Sequence, residues 1–62
     1  MLFDKIKSIA DEKGISIYRL ERETAVGRNT INRWNESIPS ADKLARVAKY
    51  LGTTVEFLLQ ED

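Results

Sequence analysis

Apolar residues recur along this chain at spacings of three and four almost from its first position, and charged residues fill the gaps between them. Phe3, Ile6, Ile9 and Ala10 share one side of a helical wheel, which predicts an amphipathic helix over residues 2–13. Lys13 and Gly14 mark its end, because glycine accepts the left-handed backbone that follows a helix terminus and a cation suits the last turn. Ile15 then crosses the core. Ser16 is placed to cap a second helix, from Ile17 to Glu23 or Thr24, with Leu20 facing inward.

Ala25 and Val26 form a turn, and Gly27 can start a third helix running from Arg28 to Trp34 or Asn35. Its inward positions are Ile31 and Trp34, three apart, which leaves Arg28, Asn29, Thr30, Asn32 and Arg33 on the other face. The connection Asn35 to Ser40 cannot be regular helix, since Pro39 lacks an amide hydrogen and restricts Ile38 before it. Ser40 caps a fourth helix with a broad apolar stripe of Ala41, Leu44, Ala45, Val47, Ala48 and Leu51, and Gly52 ends it. Thr54 caps a short fifth helix, Val55 to Gln60, with Val55, Leu58 and the neighbouring Leu59 inward and Phe57 partly outside. No strand pattern, repeat or linker competes with this reading, so the expected architecture is all-α: five short helices in one domain, residues 1–62.

At 62 residues there is room for a binding surface but little for a catalytic cleft. The chain has neither Cys nor His, which excludes a disulfide framework, a structural zinc and His-based catalysis. Its carboxylates are scattered over predicted helix surfaces and nothing resembles a nucleophile beside a base, so neither an enzyme nor a cofactor is expected. Asp4, Lys5 and Lys7 interrupt the start of the chain, leaving no apolar run of signal-peptide or membrane-spanning length, and the cytoplasm is the default location.

The formal net charge is zero, which at first argues against a nucleic-acid partner. Its distribution answers the objection. Between Lys13 and Glu36 five basic residues (Lys13, Arg19, Arg22, Arg28, Arg33) face three acidic ones (Glu21, Glu23, Glu36), while the flanking segments are each slightly acidic. Phosphate binding needs a local basic face, not a basic whole. The basic segment contains SIYRLERETAVGRNTINRW, residues 16–34, two short helices about a tight turn, and the second helix carries side chains suited to base edges. Arginine can donate twice to guanine, asparagine can pair with adenine, and the threonine methyl can touch thymine.

Three stretches together resemble a known family. They are GIS with Leu20 four positions after Ser16, then TAVGRNTINRW, then PSADKLARVAKYLGTTVEFLL with Pro39, Leu44, Ala48, Leu51 and Leu58 at the family's spacing. In these the chain is similar to the DNA-binding domain of phage repressors and Cro proteins, the lambda-repressor-like or xenobiotic-response-element family, in the form found in Gram-positive phages and their hosts. The resemblance implies a helix-turn-helix whose third helix lies in the major groove while the second crosses the backbone. Arg28, Asn29 and Thr30 would then meet bases first, with Asn32 and Arg33 next. Ser16, Tyr18, Arg19, Asn35, Ser40 and Lys43 would surround them as phosphate contacts, and Trp34 would be a core anchor. Two copies would bind a pseudo-palindromic operator of double-stranded DNA, with a homodimer surface around Phe57, Leu59 and Gln60.

Five positions depart from the family's commonest pattern. Ile17 stands where many members have a DNA-contacting glutamine, Glu21 where a small alanine is common, and Ala25 where the turn glycine is common. Ala10 and Asn35 replace an arginine–glutamate pair that some relatives share between helices 1 and 3. The function implied is a sequence-specific DNA-binding transcriptional regulator, a repressor that occludes a promoter. The reading from another class is a protein-interaction module of the same fold, such as an antitoxin or regulatory subunit. Neutral charge favours the second and the Arg-led face of the third helix favours the first.

Overall fold

The computed structural model describes residues 1–60. In chain order its elements are α1 (Leu2–Glu12), α2 (Ile17–Thr24), a single 3-10 turn (Ile31–Arg33), α3 (Ala41–Leu51) and α4 (Val55–Leu59), with no strand among the described residues. Side-chain caps set the starts. Ser16, Ser40 and Thr54 each accept, through the hydroxyl oxygen, from the amide three residues on, at 3.0, 3.3 and 3.0 Å. Gly14, at φ 70°, ends α1: its amide donates to Asp11 and that of Ile15 to Ala10, which turns Ile15 back against the core.

Met1 offers α1 no side-chain cap, so the cap comes from far along the chain. Asn35 Oδ1 accepts from the Phe3 amide at 2.9 Å and its Nδ2 donates to Asp4 Oδ1 at 3.2 Å. Asn35 thus ties the start of α1 to the segment after the 3-10 turn through two hydrogen bonds, and Ala10 is fully buried.

The core is one cluster drawn from every element: Ile6 and Ala10 of α1, Leu20 of α2, Ile31 and Trp34 about the 3-10 turn, Leu44, Val47, Ala48 and Leu51 of α3, and Leu58 of α4. Trp34 is 5 % exposed and is the core anchor its spacing predicts. Two expectations fail. Ala41 and Ala45 are exposed, so the stripe of α3 is the narrower one of residues 44, 47, 48 and 51 that packs toward α2 and α4. Leu59 is 54 % exposed, because α4 is one short turn that sends Leu58 inward and has no second row to bury.

The largest correction concerns the third helix: among the described residues there are four α-helices, not five. Residues 28–30 are not helical, and they lead into a 3-10 turn whose amides at Arg33 and Trp34 reach back three residues, to Thr30 and Ile31. Local chemistry accounts for this. Gly27 at φ 108° and Asn29 at φ 56° interrupt a helical start, and Pro39 closes the other end. Between them stand the β-branched Thr30 and Ile31 and the poor helix formers Asn32 and Asn35. So short a stretch yields too few i→i−4 bonds to offset nucleation, and the tighter turn prevails.

Candidate nucleic-acid interface

Ala25 closes α2 in the left-handed region, φ 57° and ψ 35°, with its amide bonded to the Glu21 carbonyl. The turn residue is therefore strained as its sequence position predicts, and it sends Val26 into the core. Gly27 cannot be replaced simply. Besides its φ, a Cβ there would stand 2.9 Å from Thr30 Oγ1.

The backbone of the adjoining loop is held by a side chain from α2. Glu21 is only 7 % exposed, and its two carboxylate oxygens take three consecutive amides: Oε1 from Asn29 at 3.1 Å, and Oε2 from Thr30 and Ile31 at 2.9 Å each. A left-handed residue succeeded by right-handed ones turns successive N–H groups to one point, a backbone nest suited to an anion. Here the anion is the protein's own. Charge-assisted bonds of this kind are about twice as strong as neutral ones. From below, Ile31 and Trp34 anchor the same segment in the core.

Held in this way, Arg28, Asn29, Asn32 and Arg33 are exposed and Thr30 is half-buried, its hydroxyl donating to the Arg28 carbonyl at 3.4 Å. Two shallow depressions meet at Arg28, Tyr18 and Glu21. One, of about 270 Å³, is bordered also by Phe3, Lys7, Ile17, Asn29 and Asn32. The other, of about 370 Å³, is bordered by Arg22, Ala25 and Gly27. Tyr18 is 60 % exposed and the Arg22 guanidinium lies 5.8 Å from its ring centre.

The structure thus brings Arg28, Asn29, Asn32 and Tyr18 to one surface, while Arg19, Arg33, Ser40 and Lys43 border neither depression. Ser16 and Ser40 are occupied as caps, and Asn35 is turned toward α1. Ile17 spends its side chain on packing against the core, where a glutamine would reach outward. Three residues of the surface were not expected there: Lys7, Arg22 and the buried Glu21. Arg22 was legible, since it follows Tyr18 by four positions on one helix face. Lys7 comes from a different helix, and Glu21 acts across eight to ten residues of sequence, so neither left a local signal.

Away from these depressions, Phe57 is half exposed and Lys5 lies over its ring, the ammonium 4.9 Å from the centre. The same ammonium donates to the Gln60 carbonyl at 2.9 Å, a cation at the C-terminal end of α4. Leu59 and Gln60 are exposed beside it.

The model of the Cro/C1-type HTH DNA-binding domain family matches residues 5–60. The match takes in all four α-helices apart from the first three residues of α1, and the chain belongs to this family. Neither the curated proteins nor the solved structures contain a match. Membership makes the chain a helix-turn-helix domain of a DNA-binding family, with double-stranded DNA the implied partner. Among the described residues no cluster of carboxylates could hold a metal ion, and no helix is long and apolar enough to cross a membrane.

Proposed function

We propose that this chain is a sequence-specific transcriptional regulator of the phage-repressor type, which enters the major groove with the segment Arg28–Arg33 and represses by occluding a promoter. The observation that carries the reading is the exposure of Arg28, Asn29 and Asn32 beside Tyr18, on a loop whose backbone is fixed by Glu21 above and by Ile31 and Trp34 below. A rigid backbone presenting donors and acceptors is what base discrimination requires, because each misplaced side chain forfeits a bidentate contact.

Arg28 and Asn29 stand first on that surface and are assigned to base edges, with Asn32 beside them and Thr30 offering its methyl. Arg33, Arg19 and Lys43 are assigned to phosphates together with Tyr18, and the amides at the capped starts of α2 and α3 add neutral donors. Two copies would occupy a pseudo-palindromic operator in the cytoplasm, joined through Phe57, Leu59 and Gln60, because one small module on one half-site holds weakly.

Selection from random duplexes, with sequencing of what the protein retains, tests this. A recurring motif with two related half-sites is the expected result. Retention without any enriched sequence would overturn it and favour the protein-interaction reading.

A further inference from the structure

At position 21 a carboxylate that is only 7 % exposed takes three consecutive amides of the loop. We propose that Glu21 is a positioning residue for base selection: an internal anion that fixes the loop in which Arg28, Asn29 and Thr30 are presented. This rests on the DNA-reading function proposed above and adds what determines its selectivity.

Asn29 stands at φ 56° and Thr30 at φ −89°, a combination that no regular element supplies and that leaves three amides converging without a helical partner. Helical i→i−4 bonds cannot satisfy them, because the loop has barely begun to turn. Glu21 satisfies all three, and it does so from α2, whose own position is fixed by the buried Leu20 beside it. One carboxylate therefore ties the loop to α2, while Ile31 and Trp34 anchor its far end in the core. The carboxylate's charge is shared among the three amide donors.

Glutamine at this position keeps the length but not the chemistry. It has one oxygen for three donors, and its amide group would point N–H toward N–H. Alanine leaves the nest empty, open to an exogenous carboxylate the size of formate. Phosphates on DNA are bound through charge and do not need the fine geometry of the loop, whereas base contacts do.

The test uses the whole chain with its selected duplex and a scrambled duplex of equal length, comparing wild type, E21Q and E21A. Expected is a fall of roughly tenfold or more in the ratio of selected to scrambled binding, the size of one lost bidentate contact. Scrambled-duplex affinity and its salt dependence should stay as in wild type, and Trp34 fluorescence should report a folded core. Sodium formate, compared with sodium chloride at equal ionic strength, should restore part of the ratio in E21A and do nothing to wild type. In wild type, the amides of Asn29, Thr30 and Ile31 should exchange with deuterium more slowly than that of Asn32.

A folded E21Q with the wild-type ratio overturns the proposal and leaves the DNA function standing. Equal losses on both duplexes would make Glu21 a matter of folding alone and also overturn it. Fast exchange at the three amides overturns it even if neither variant folds. A wild-type chain that enriches no sequence overturns the DNA reading and this proposal with it.

Discussion

Ala25 offers a test of the turn that is independent of any DNA. Its backbone, at φ 57° and ψ 35°, sets Cβ against the next carbonyl oxygen, a strain of about 1–2 kcal/mol in an L-residue. Ala25→Gly removes that strain. Glycine also has more freedom to lose on folding, which takes back about 0.4–1 kcal/mol. The methyl is exposed and fills no part of the core, so nothing is subtracted for lost burial. The net expectation is a gain of roughly 0.5–1 kcal/mol. In a domain this small that raises the midpoint of thermal unfolding by about 2–8 °C. Gly14→Ala supplies the control of opposite sign. Gly14 stands at φ 70° with nothing within 4 Å of an added Cβ, so the substitution introduces strain without a clash and should cost about 1 kcal/mol. Thermal unfolding followed by far-ultraviolet circular dichroism, and urea unfolding followed by Trp34 fluorescence, measure both, and an unchanged urea slope shows that stability alone has moved. If Ala25→Gly lowered stability while Gly14→Ala behaved as expected, the left-handed turn at Ala25 would be the wrong description of the link between α2 and the reading loop.

Arg28→Ala should cost about 1–3 kcal/mol of discrimination at one base pair, read as relaxed selectivity in competition with duplexes altered at single positions. Arg19→Ala should instead weaken selected and scrambled duplexes alike and flatten the salt dependence by about one unit of slope, and a changed base preference would count against a phosphate role. Asn35→Ala leaves the Phe3 amide without its acceptor and cuts the link to Asp4, so urea unfolding should show a loss of about 1 kcal/mol, whereas an unchanged midpoint would mean that water replaces the cap without cost. Replacing Phe57 and Leu59 together by serine should leave the fold intact, since both are substantially exposed, and abolish dimerisation on DNA in sedimentation analysis; a dimer that persisted would place the interface elsewhere.

The periodic parts of the fold were legible because amphipathic spacing and caps are local. Residues 6, 10, 20, 31, 34, 44, 47, 48, 51 and 58 are buried as their positions along each pattern imply, and Ser16, Ser40, Thr54 and Gly14 mark element ends as their chemistry implies. The third helix was not legible because Ile31 and Trp34, three apart, fit a 3-10 turn as well as an α-helix. The left-handed backbone at Asn29 interrupts the helical start, and its amide is bonded to a carboxylate eight residues earlier, a pairing that no window of local spacing reveals. Asn35 illustrates the same limit. Its type and loop position suit a phosphate contact, and only the fold shows its side chain turned to the start of α1.

Zero net charge ceases to be an obstacle once burial is taken into account. Of the three carboxylates between Lys13 and Glu36, Glu21 is buried and spread over three amides, which leaves five exposed cations against the exposed Glu23 and Glu36. Arg22 is partly offset by Glu23, 3.7 Å away, but both are well exposed, where such a pair contributes little and is screened by salt. The exposed surface of this segment is thus more positive than the sequence total implies, though still modestly so. Few phosphate contacts would mean a weak hold on arbitrary DNA, so under the proposed function affinity would come largely from base contacts and from pairing two copies on one operator. Base contacts reward rigidity. A chain with little general attraction for DNA therefore has the more to gain from a buried carboxylate that holds its reading loop in one shape.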